Sequence, residues 1–456
     1  MNLNAAICRD REPDTSTVND TPTLQKTAIA QVRRTSGDQT VLIVGFSAVL
    51  IFAVLAYCIF DRWTIDILEL GSALLLLFCI WPQISSGRLQ LGTNSLYVPV
   101  VLFGLIIVVQ VIFGLSAYVH VTRVELWKYA AYGSLFLLAN QLQPAGAHRL
   151  LTILAAFGFI VALFALVQDL TSNGRIYWYW PAVSGRIFGP YANHSHYAGL
   201  MEMLAPIALA MALADGARRH HQLLWVVAGI LMGATIFVSG SRGGIIAFAV
   251  EMVFLAGLFI ARRSPRTAWA LGAICLVIGA FVFWIDDGRV LKQLDSLRDP
   301  LTDADVASRL TIARDSLRMA RDRPIAGWGL GLFPIIYPQY RSFSTDLLVN
   351  QAHNDYLQAL VETGILGFAC VLWFIGNLYR RGMRNLKDHS RITTSPALGP
   401  LVGCTGILVH SFSDFNLHIP PNAALFFVLC GIASNSKTLV ARRKRPELVP
   451  ATNHHA

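Results

Sequence analysis

The sequence predicts an all-α polytopic membrane protein with about twelve transmembrane helices and one long external loop. Of its 456 residues, 54% are hydrophobic and only 14% are charged, and the mean hydropathy is +0.52. A soluble domain carries about 25% charged residues, so this composition excludes a soluble protein of this length. Apolar stretches recur along the chain between residues 41 and 434.

Twelve apolar stretches are predicted to span the membrane, because about 20 mostly apolar residues cross its hydrocarbon core. They are residues 41–60, 65–81, 97–113, 126–142, 150–170, 197–215, 223–239, 245–261, 267–285, 356–378, 398–414 and 422–434. The predicted order of segments is a disordered cytoplasmic tail (1–40), nine helices (41–285), an external loop (286–355), three helices (356–434) and a basic cytoplasmic tail (435–456).

The basic residues predict the orientation of the chain. With the N-terminus in the cytoplasm, 22 of the 37 Lys and Arg residues fall on cytoplasmic segments, six on short external loops and nine on the long loop. Short cytoplasmic loops are normally enriched in basic residues, whereas long segments cross regardless of charge. The net charge of +10 therefore indicates membrane topology, and no nucleic-acid partner is predicted.

The long external loop is predicted to contain an amphipathic helix. Asp303 is a plausible N-cap, and Pro324 is expected to end the helix. The Gly327–Gly331 segment that follows, GWGLG, predicts a flexible turn with an aromatic anchor. The apolar positions recur at helical spacing and are Val306, Leu310, Ala313, Leu317 and Ala320.

The turn SGSRGG at residues 239–244 is the first candidate site. Its small residues allow close backbone approach and leave amide groups that can form an anion nest. Arg242 lies just before a new helix, and an arginine beside a helix N-terminus favours an anion. A tight interhelical turn with a snorkelling arginine explains the same residues equally well.

The segment His353-Asn354-Asp355-Tyr356 is the second candidate site, at the end of the long loop. His353 could act as a general base near neutral pH. The alternative is a helix cap formed by Asn354 or Asp355, with His353 incidental.

The third candidate is the polar segment 185–197, in which Arg186 and Asn193 could bind a sugar or a phosphate. The preceding Trp178, Tyr179 and Trp180 are more typical of an interfacial aromatic belt. His194 and His196 lack an accompanying set of acidic or histidine ligands, so no metal site is predicted.

Arg309 is the fourth candidate, and His410 and Asp414 are two weaker ones. Arg309 lies in the predicted loop helix, where a solvated helix face is the ordinary explanation. His410 and Asp414 are four residues apart and therefore share one helix face. They are expected to interact with each other.

The order of these motifs resembles the O-antigen ligase/polymerase family of bacterial surface-glycan assembly. The resemblance extends over about residues 180–435. It rests on a multi-spanning chain with three segments in order, SGSRGG, SRLTIARDSLRMARDRPIAGWGLGLF and QAHNDYLQALVETGILG.

The resemblance implies a glycosyltransferase of the bacterial inner membrane. Such proteins transfer a glycan from undecaprenyl diphosphate to an acceptor hydroxyl at the periplasmic face, in lipopolysaccharide O-antigen or exopolysaccharide synthesis. Ligases use lipid A–core as the acceptor, polymerases use another lipid-linked repeat, and ligase chemistry is thought to be inverting and metal-independent. No cofactor is expected. The ending SFSDFNLHIPPNAALFF is similar to ligase-like proteins of exopolysaccharide loci, so the acceptor stays open.

The resemblance also assigns roles to residues. The catalytic residues implied by the motifs are Arg242, Arg309 and His353. The substrate-binding residues expected beside them are Arg186, Asn193, Asp355, Tyr356 and Asp414.

Three alternatives stay open at this level. A ligase and a polymerase are not distinguished by the sequence. A twelve-span secondary transporter of an anionic or glycan substrate would place substrate residues near the midplane, with broken helices. A non-catalytic scaffold of an envelope complex would leave the two arginines and the histidine without a joint purpose.

Overall fold

The computed structural model describes residues 21–56, 61–85, 87, 92–181, 186–214, 218–285, 304–344, 348–389 and 392–435. These residues are almost entirely helical, apart from a short hairpin of β1 (Arg175–Ile176) and β2 (Trp180–Pro181). The helices are α1 Thr21–Ala56, α2 Asp61–Ser85, α3 Tyr97–Ile112, α4 Val119–Ala139, α5 Pro144–Thr171, α6 His194–Ala212, α7 Arg219–Ser239, α8 Arg242–Ala261, α9 Pro265–Ile285, α10 Ala304–Asp322, α11 Phe333–Ile336, α12 Asp355–Lys387, α13 Leu398–His410 and α14 Pro420–Ala433.

Each of the twelve apolar stretches overlaps one helix, namely α1 to α9 and α12 to α14. Among the described residues, seven helices are long and apolar enough to cross a membrane, and these are α1, α2, α5, α7, α8, α9 and α12. Helices α3, α13 and α14 are apolar but shorter. The predicted all-helical membrane protein is therefore confirmed, while the count of twelve spans and their sidedness stay predictions.

Helix α1 begins earlier than the sequence suggests. It starts at Thr21, so residues 21–40, which the sequence predicts as part of a disordered tail, are helical. This segment contains the helix-forming run LQKTAIAQV and continues directly into an apolar stretch, which allows the helix to propagate. The predictions for residues 1–20 and for 436–456 lie outside the described residues.

Helices α6 and α13 form the centre of the bundle. Nearly every residue of both helices is buried. They pack with close backbone contact, because a Cβ added to Gly399 would lie 2.7 Å from Cα of Ile207, and one added to Gly403 would lie 2.7 Å from the carbonyl of Met203. Small residues at such crossings let membrane helices approach closely. Polar side chains carried by these two helices are thereby shielded from solvent.

Helix α12 is broken near its N-terminal end. Gly364 has φ of 63° and ψ of −169°, which is not helical. The loop backbone satisfies the groups that this break frees, since Trp328 and Gly329 donate to the carbonyls of Val361 and Glu362 at 3.0 and 2.9 Å. The glycine-rich turn is therefore inserted against the broken helix, which fixes this loop to the bundle.

The loop helix α10 ends at Asp322, before Pro324, as predicted, but its buried face is different. Leu310 and Leu317 are 45% and 46% exposed, and of the predicted stripe only Ala320 is buried among the described side chains. The buried positions are Ile312, Asp315, Ser316, Met319 and Ala320. The face is rotated by about one residue, or ~100°. The apolar pattern does not predict this buried face, because two of the buried residues, Asp315 and Ser316, are polar.

Buried Asp315 explains this rotation. Its Oδ2 accepts hydrogen bonds from the backbone N–H of Ser342 at 2.9 Å and from its hydroxyl at 3.0 Å. Tyr337 also lies within 3.4 Å of the same oxygen, and proximity to the carboxylate adds to burial in raising the pKa of this phenol. The acidic side chain thus ties α10 to the loop segment that returns toward α12. The predicted N-cap, Asp303, lies outside the described residues.

Candidate active site

The ends of six helices, α6, α7, α8, α12, α13 and α14, lie at one end of the bundle. They surround residues 411–419, here called the α13–α14 connection. The backbone N–H of Asp355 donates to the carbonyl of Ser411 at 2.9 Å, which joins the start of α12 to this connection. Ser241, just before α8, donates to Ser195 at the start of α6 at 3.1 Å. The hydroxyl of Ser241 also lies 3.5 Å from Nε2 of His410, the last residue of α13. The first and second candidate segments are therefore brought to the same region, although they are more than 100 residues apart.

Arg309 is bonded to the connection. Its guanidinium donates to the carbonyl of Ser413. The side chain is partly buried, so the solvated-face explanation does not describe this residue. By contrast, the side chain of Arg318 on the same helix is 61% exposed. The structure therefore singles out Arg309 among the arginines of α10.

His353 faces Asp414, which the connection carries. Its Nδ1 lies 3.5 Å from Oδ1 of Asp414, within ion-pair distance but long for a hydrogen bond. The imidazole packs edge-on against Phe415, with ring centroids 5.0 Å apart, and its side chain is 28% exposed. The ring is therefore held on one side while part of its surface is exposed.

The backbone of His353 adopts an unusual conformation. Its φ is +51°, in the left-handed region, which costs a non-glycine residue of order 1–3 kcal/mol. Such residues concentrate at functional sites because the surrounding structure must enforce them. The conformation precedes the start of α12, where Asn354 caps the helix by accepting from the N–H of Leu357 at 2.9 Å. The predicted cap is therefore confirmed, and His353 is not part of it.

Asp414 is almost completely buried, with 1% of its surface exposed. Burial raises the pKa of its carboxyl, but the nearby imidazole of His353 and the charges of surrounding basic side chains together lower it below its usual value. The expected pairing of Asp414 with His410 is wrong in the structure. Helix α13 ends at His410, so Asp414 leaves the helix face and turns toward His353.

His410 instead contacts a residue that sequence reasoning did not select. Its Nδ1 lies 2.9 Å from Oε1 of Glu202, and both side chains are buried. The available signal was a single glutamate within the predicted sixth span. A charged residue at that depth is a functional candidate by default.

The SGSRGG turn packs as closely as its small residues predict, but the amide of Gly244 is occupied within the turn and is not free to bind an anion. Gly240 has φ of +80° and ends α7. Ser241 caps α8 by accepting from the N–H of Gly244 at 3.1 Å, and Arg242 is the first helical residue. A Cβ added to Gly243 would lie 2.6 Å from the hydroxyl of Ser413. The turn that carries Arg242 is thus pressed against the same connection that binds Arg309.

Arg186 and Asn193 occupy the neighbouring segment. The carboxamide of Asn193 caps α6, accepting from the N–H of Ser195 at 2.8 Å. Arg186 donates to the carbonyl of Val238 at 3.1 Å, in the last turn of α7, and lies 3.5 Å from Asp169. Their predicted substrate contacts stay predictions, and for Asn193 the structure gives the side chain a capping role.

Asp355 and Tyr356 bind the connection from the other side. Asp355 accepts from the hydroxyl of Ser411 at 2.7 Å and lies 2.6 Å from Nδ1 of His418. Burial lowers the pKa of His418, but the interaction with Asp355 and other nearby carboxylates raises it more. Tyr356 donates to the carbonyl of Leu408 at 2.7 Å. Both side chains hold the start of α12 in place, and their predicted role toward substrate stays a prediction.

An apolar cavity of about 320 Å³ lies beyond Asp355, between α3, α4, α12 and α14. Aromatic side chains contribute much of its lining, including Phe103, Tyr129 and Phe374. Its acidic lining residues already have partners, since Glu362 accepts from the backbone N–H groups of Gly331 and Phe333 at 2.9 and 3.2 Å. The cavity is therefore suited to an uncharged, apolar ligand.

A known protein family matches the middle part of the chain. Residues 227–372 match the family model described as O-antigen ligase. The match supports assignment of the chain to the O-antigen ligase/polymerase family. It runs from α7 into α12 and includes Arg242, Arg309 and His353. No curated protein matched the chain.

Proposed function

We propose that the chain is a lipid-linked-glycan transferase of the O-antigen ligase type. It transfers a glycan from undecaprenyl diphosphate to an acceptor hydroxyl at the periplasmic face of the inner membrane. The observation that carries the proposal is made at the α13–α14 connection, where two consecutive residues, Ser413 and Asp414, each contact one candidate catalytic side chain. The carbonyl of Ser413 accepts from Arg309, and Asp414 faces His353.

The two arginines are assigned to the leaving group. As the bond between sugar and diphosphate breaks, negative charge develops on the departing phosphate oxygen. Guanidinium groups pair with phosphate through two parallel hydrogen bonds and keep their charge at any relevant pH. Arg242 at the start of α8 and Arg309 on α10 supply this charge stabilisation, which accounts for transfer without a metal.

His353 is assigned as the general base. The acceptor hydroxyl loses a proton as its oxygen attacks the anomeric carbon, and an imidazole accepts this proton near neutral pH. The buried Asp414 stabilises the imidazolium that forms. Direct attack opposite the leaving diphosphate inverts the anomeric centre.

The glycans made by a deletion strain test the proposal. Loss of a polymerase leaves single-repeat glycan on its final acceptor, whereas loss of a ligase leaves polymer on the lipid carrier. Either result supports a transferase, and it also distinguishes the two activities. A deletion strain with normal polymer attached to its normal acceptor would contradict the proposal.

The apolar cavity is assigned to the prenyl chain of the donor. Its aromatic lining suits the flat alkene units of such a chain, and Asp355 connects the cavity to the candidate active site. Gly104 and Gly133 line the cavity. Both have room for a side chain: among the described residues, nothing lies within 4 Å of a Cβ added at Gly104, and only Val100 lies near one added at Gly133, at 3.8 Å.

Filling the cavity is therefore expected to weaken binding of long-chain donors. Gly104→Leu and Gly133→Leu should each raise KM for a donor with a full-length prenyl chain and leave a short-chain donor unaffected. The matched control is Gly272→Leu on α9, which also has open space around its Cβ. Equal KM values for the variants, the control and the wild type would contradict this assignment.

A secondary transporter is the alternative, and the break in α12 is the one feature that favours it. Broken helices in transporters leave backbone groups that coordinate substrates. Here the carbonyls of Val361 and Glu362 accept from the external loop, as described above. The break therefore has a structural role in docking that loop. Uptake by proteoliposomes without glycan transfer would favour the transporter.

A further inference from the structure

Glu202 and His410 form a buried pair directly behind the candidate active site. Oε1 of Glu202 lies 2.9 Å from Nδ1 of His410, and the two side chains are 0% and 1% exposed. Burying an ionisable pair inside a membrane bundle costs free energy, so residues of this kind usually serve a function. The role assigned above to the arginines and His353 does not account for this pair.

The opposite edge of the His410 ring contacts the turn that carries Arg242. Its Nε2 lies 3.5 Å from the hydroxyl of Ser241. A Cβ added to Gly243 would lie 2.7 Å from the same ring, so the backbone there packs directly on the imidazole. Orienting the imidazole through Glu202 thus fixes the start of α8.

The backbone of His410 supports the other two candidate groups. Its carbonyl accepts from the N–H of Ser413 at 2.9 Å and from the N–H of Asp414 at 3.1 Å. These are the residues that contact Arg309 and His353, respectively. One residue therefore contacts the supports of all three candidate catalytic side chains.

We propose that Glu202 and His410 are positioning residues for the active site. They hold Arg242, Arg309 and His353 in one arrangement, and this inference rests on the proposed transfer reaction. A displacement of about 1 Å in a catalytic group can cost roughly 100-fold in rate. A pair that fixes three such groups is therefore important although it touches no substrate.

The order Ser241–His410–Glu202 also matches the connectivity of a hydrolase triad, but the surroundings assign it to positioning. Ser241 is only 1% exposed. Its oxygen accepts from the N–H of Gly244, and its proton points to Ser195. The hydroxyl is thus occupied as a helix cap and is closed to substrate.

Paired variants at two buried glutamates test the proposal. Glu202→Leu removes the partner of His410 and is expected to lower kcat by about 100-fold, with little change in KM. Glu202→Gln keeps an oxygen that accepts from Nδ1, so it should restore most of the rate. Glu251→Leu on α8 is the control for losing a nearby buried carboxylate, because Glu251 is equally buried and interacts electrostatically with Glu202, but among the described residues no hydrogen bond links it to His410.

A double variant distinguishes positioning from general stability. In an Arg242→Lys background, Glu202→Leu should cost less than in the wild type, because the contribution of Arg242, one of the three groups that the pair positions, is already reduced. Full additivity of the two losses, or equal losses in Glu202→Leu and Glu251→Leu, would overturn the proposal. Inactive wild-type protein would instead contradict the proposed function itself.

Discussion

Replacing His353 with asparagine is expected to lower the rate of glycan transfer by about 10²- to 10⁴-fold, the usual contribution of a general base. Asparagine is the informative substitution because it tolerates the left-handed backbone that His353 adopts. Transfer from a lipid-linked donor by purified protein measures the effect. Thermal unfolding should be nearly unchanged, which separates the loss of the base from a loss of structure.

His148 provides the control for this variant. It is an exposed histidine on α5, at the other end of the bundle in the predicted topology, and among the described residues its ring is seen to hydrogen-bond only to Thr152. His148→Asn should therefore transfer glycan at the wild-type rate. Wild-type activity in His353→Asn would remove the base assignment and leave Asp414 with no role in proton transfer.

The second large effect is expected at the arginines. Arg242→Ala and Arg309→Ala should each lower kcat by about 10²- to 10³-fold, by analogy with the removal of one donor to a developing oxyanion. Lysine at either position should restore only part of the rate, because it lacks the planar fork that pairs with phosphate. Rates with saturating donor measure the effect.

Arg314 is the matched control for Arg309. It lies on the same helix and is exposed, so Arg314→Ala should leave transfer unchanged. If Arg309→Ala and Arg314→Ala behave alike, α10 contributes only general positive charge. Retained activity in Arg242→Ala would mean that the SGSRGG turn is a packing device, which is the alternative explanation of its sequence.

Local signals were enough to predict much of the bundle. Apolar stretches of spanning length predict the helices because burial in lipid requires both apolar side chains and internally bonded backbone. The capping residue Asn354 was likewise visible at the start of α12, whereas the cap that Ser241 forms at the start of α8 was not predicted. The break at Gly364 was not visible in the sequence. It depends on hydrogen bonds from a loop that lies more than 30 residues earlier in the chain.

The site was only partly predictable for a similar reason. Arg309 and His353 could be selected as residue types, but their meeting at Ser413 and Asp414 depends on tertiary packing. The pairing of His410 with Asp414 failed because helix spacing applies only while the helix continues, and α13 ends at His410. Glu202 was missed because a single acid in an apolar stretch does not reveal its partner 208 residues away.

The face of α10 shows the limit of an apolar pattern. Leu310 and Leu317 form a regular stripe, yet the helix buries Asp315 and Ser316. Hydrogen bonds from Ser342 compensate the cost of burying the carboxylate, so a polar residue occupies a core position. Counting apolar residues cannot anticipate such a partner.

Glycan transfer by the purified protein in proteoliposomes tests the central claim most directly. The assay supplies an undecaprenyl-diphosphate-linked glycan and an acceptor with a free hydroxyl, with EDTA present. Wild-type protein should form the glycosylated acceptor with an inverted anomeric centre and release undecaprenyl diphosphate, whereas His353→Asn should not. Product that requires Mg²⁺, or wild-type protein that forms no more product than His353→Asn, would contradict the account.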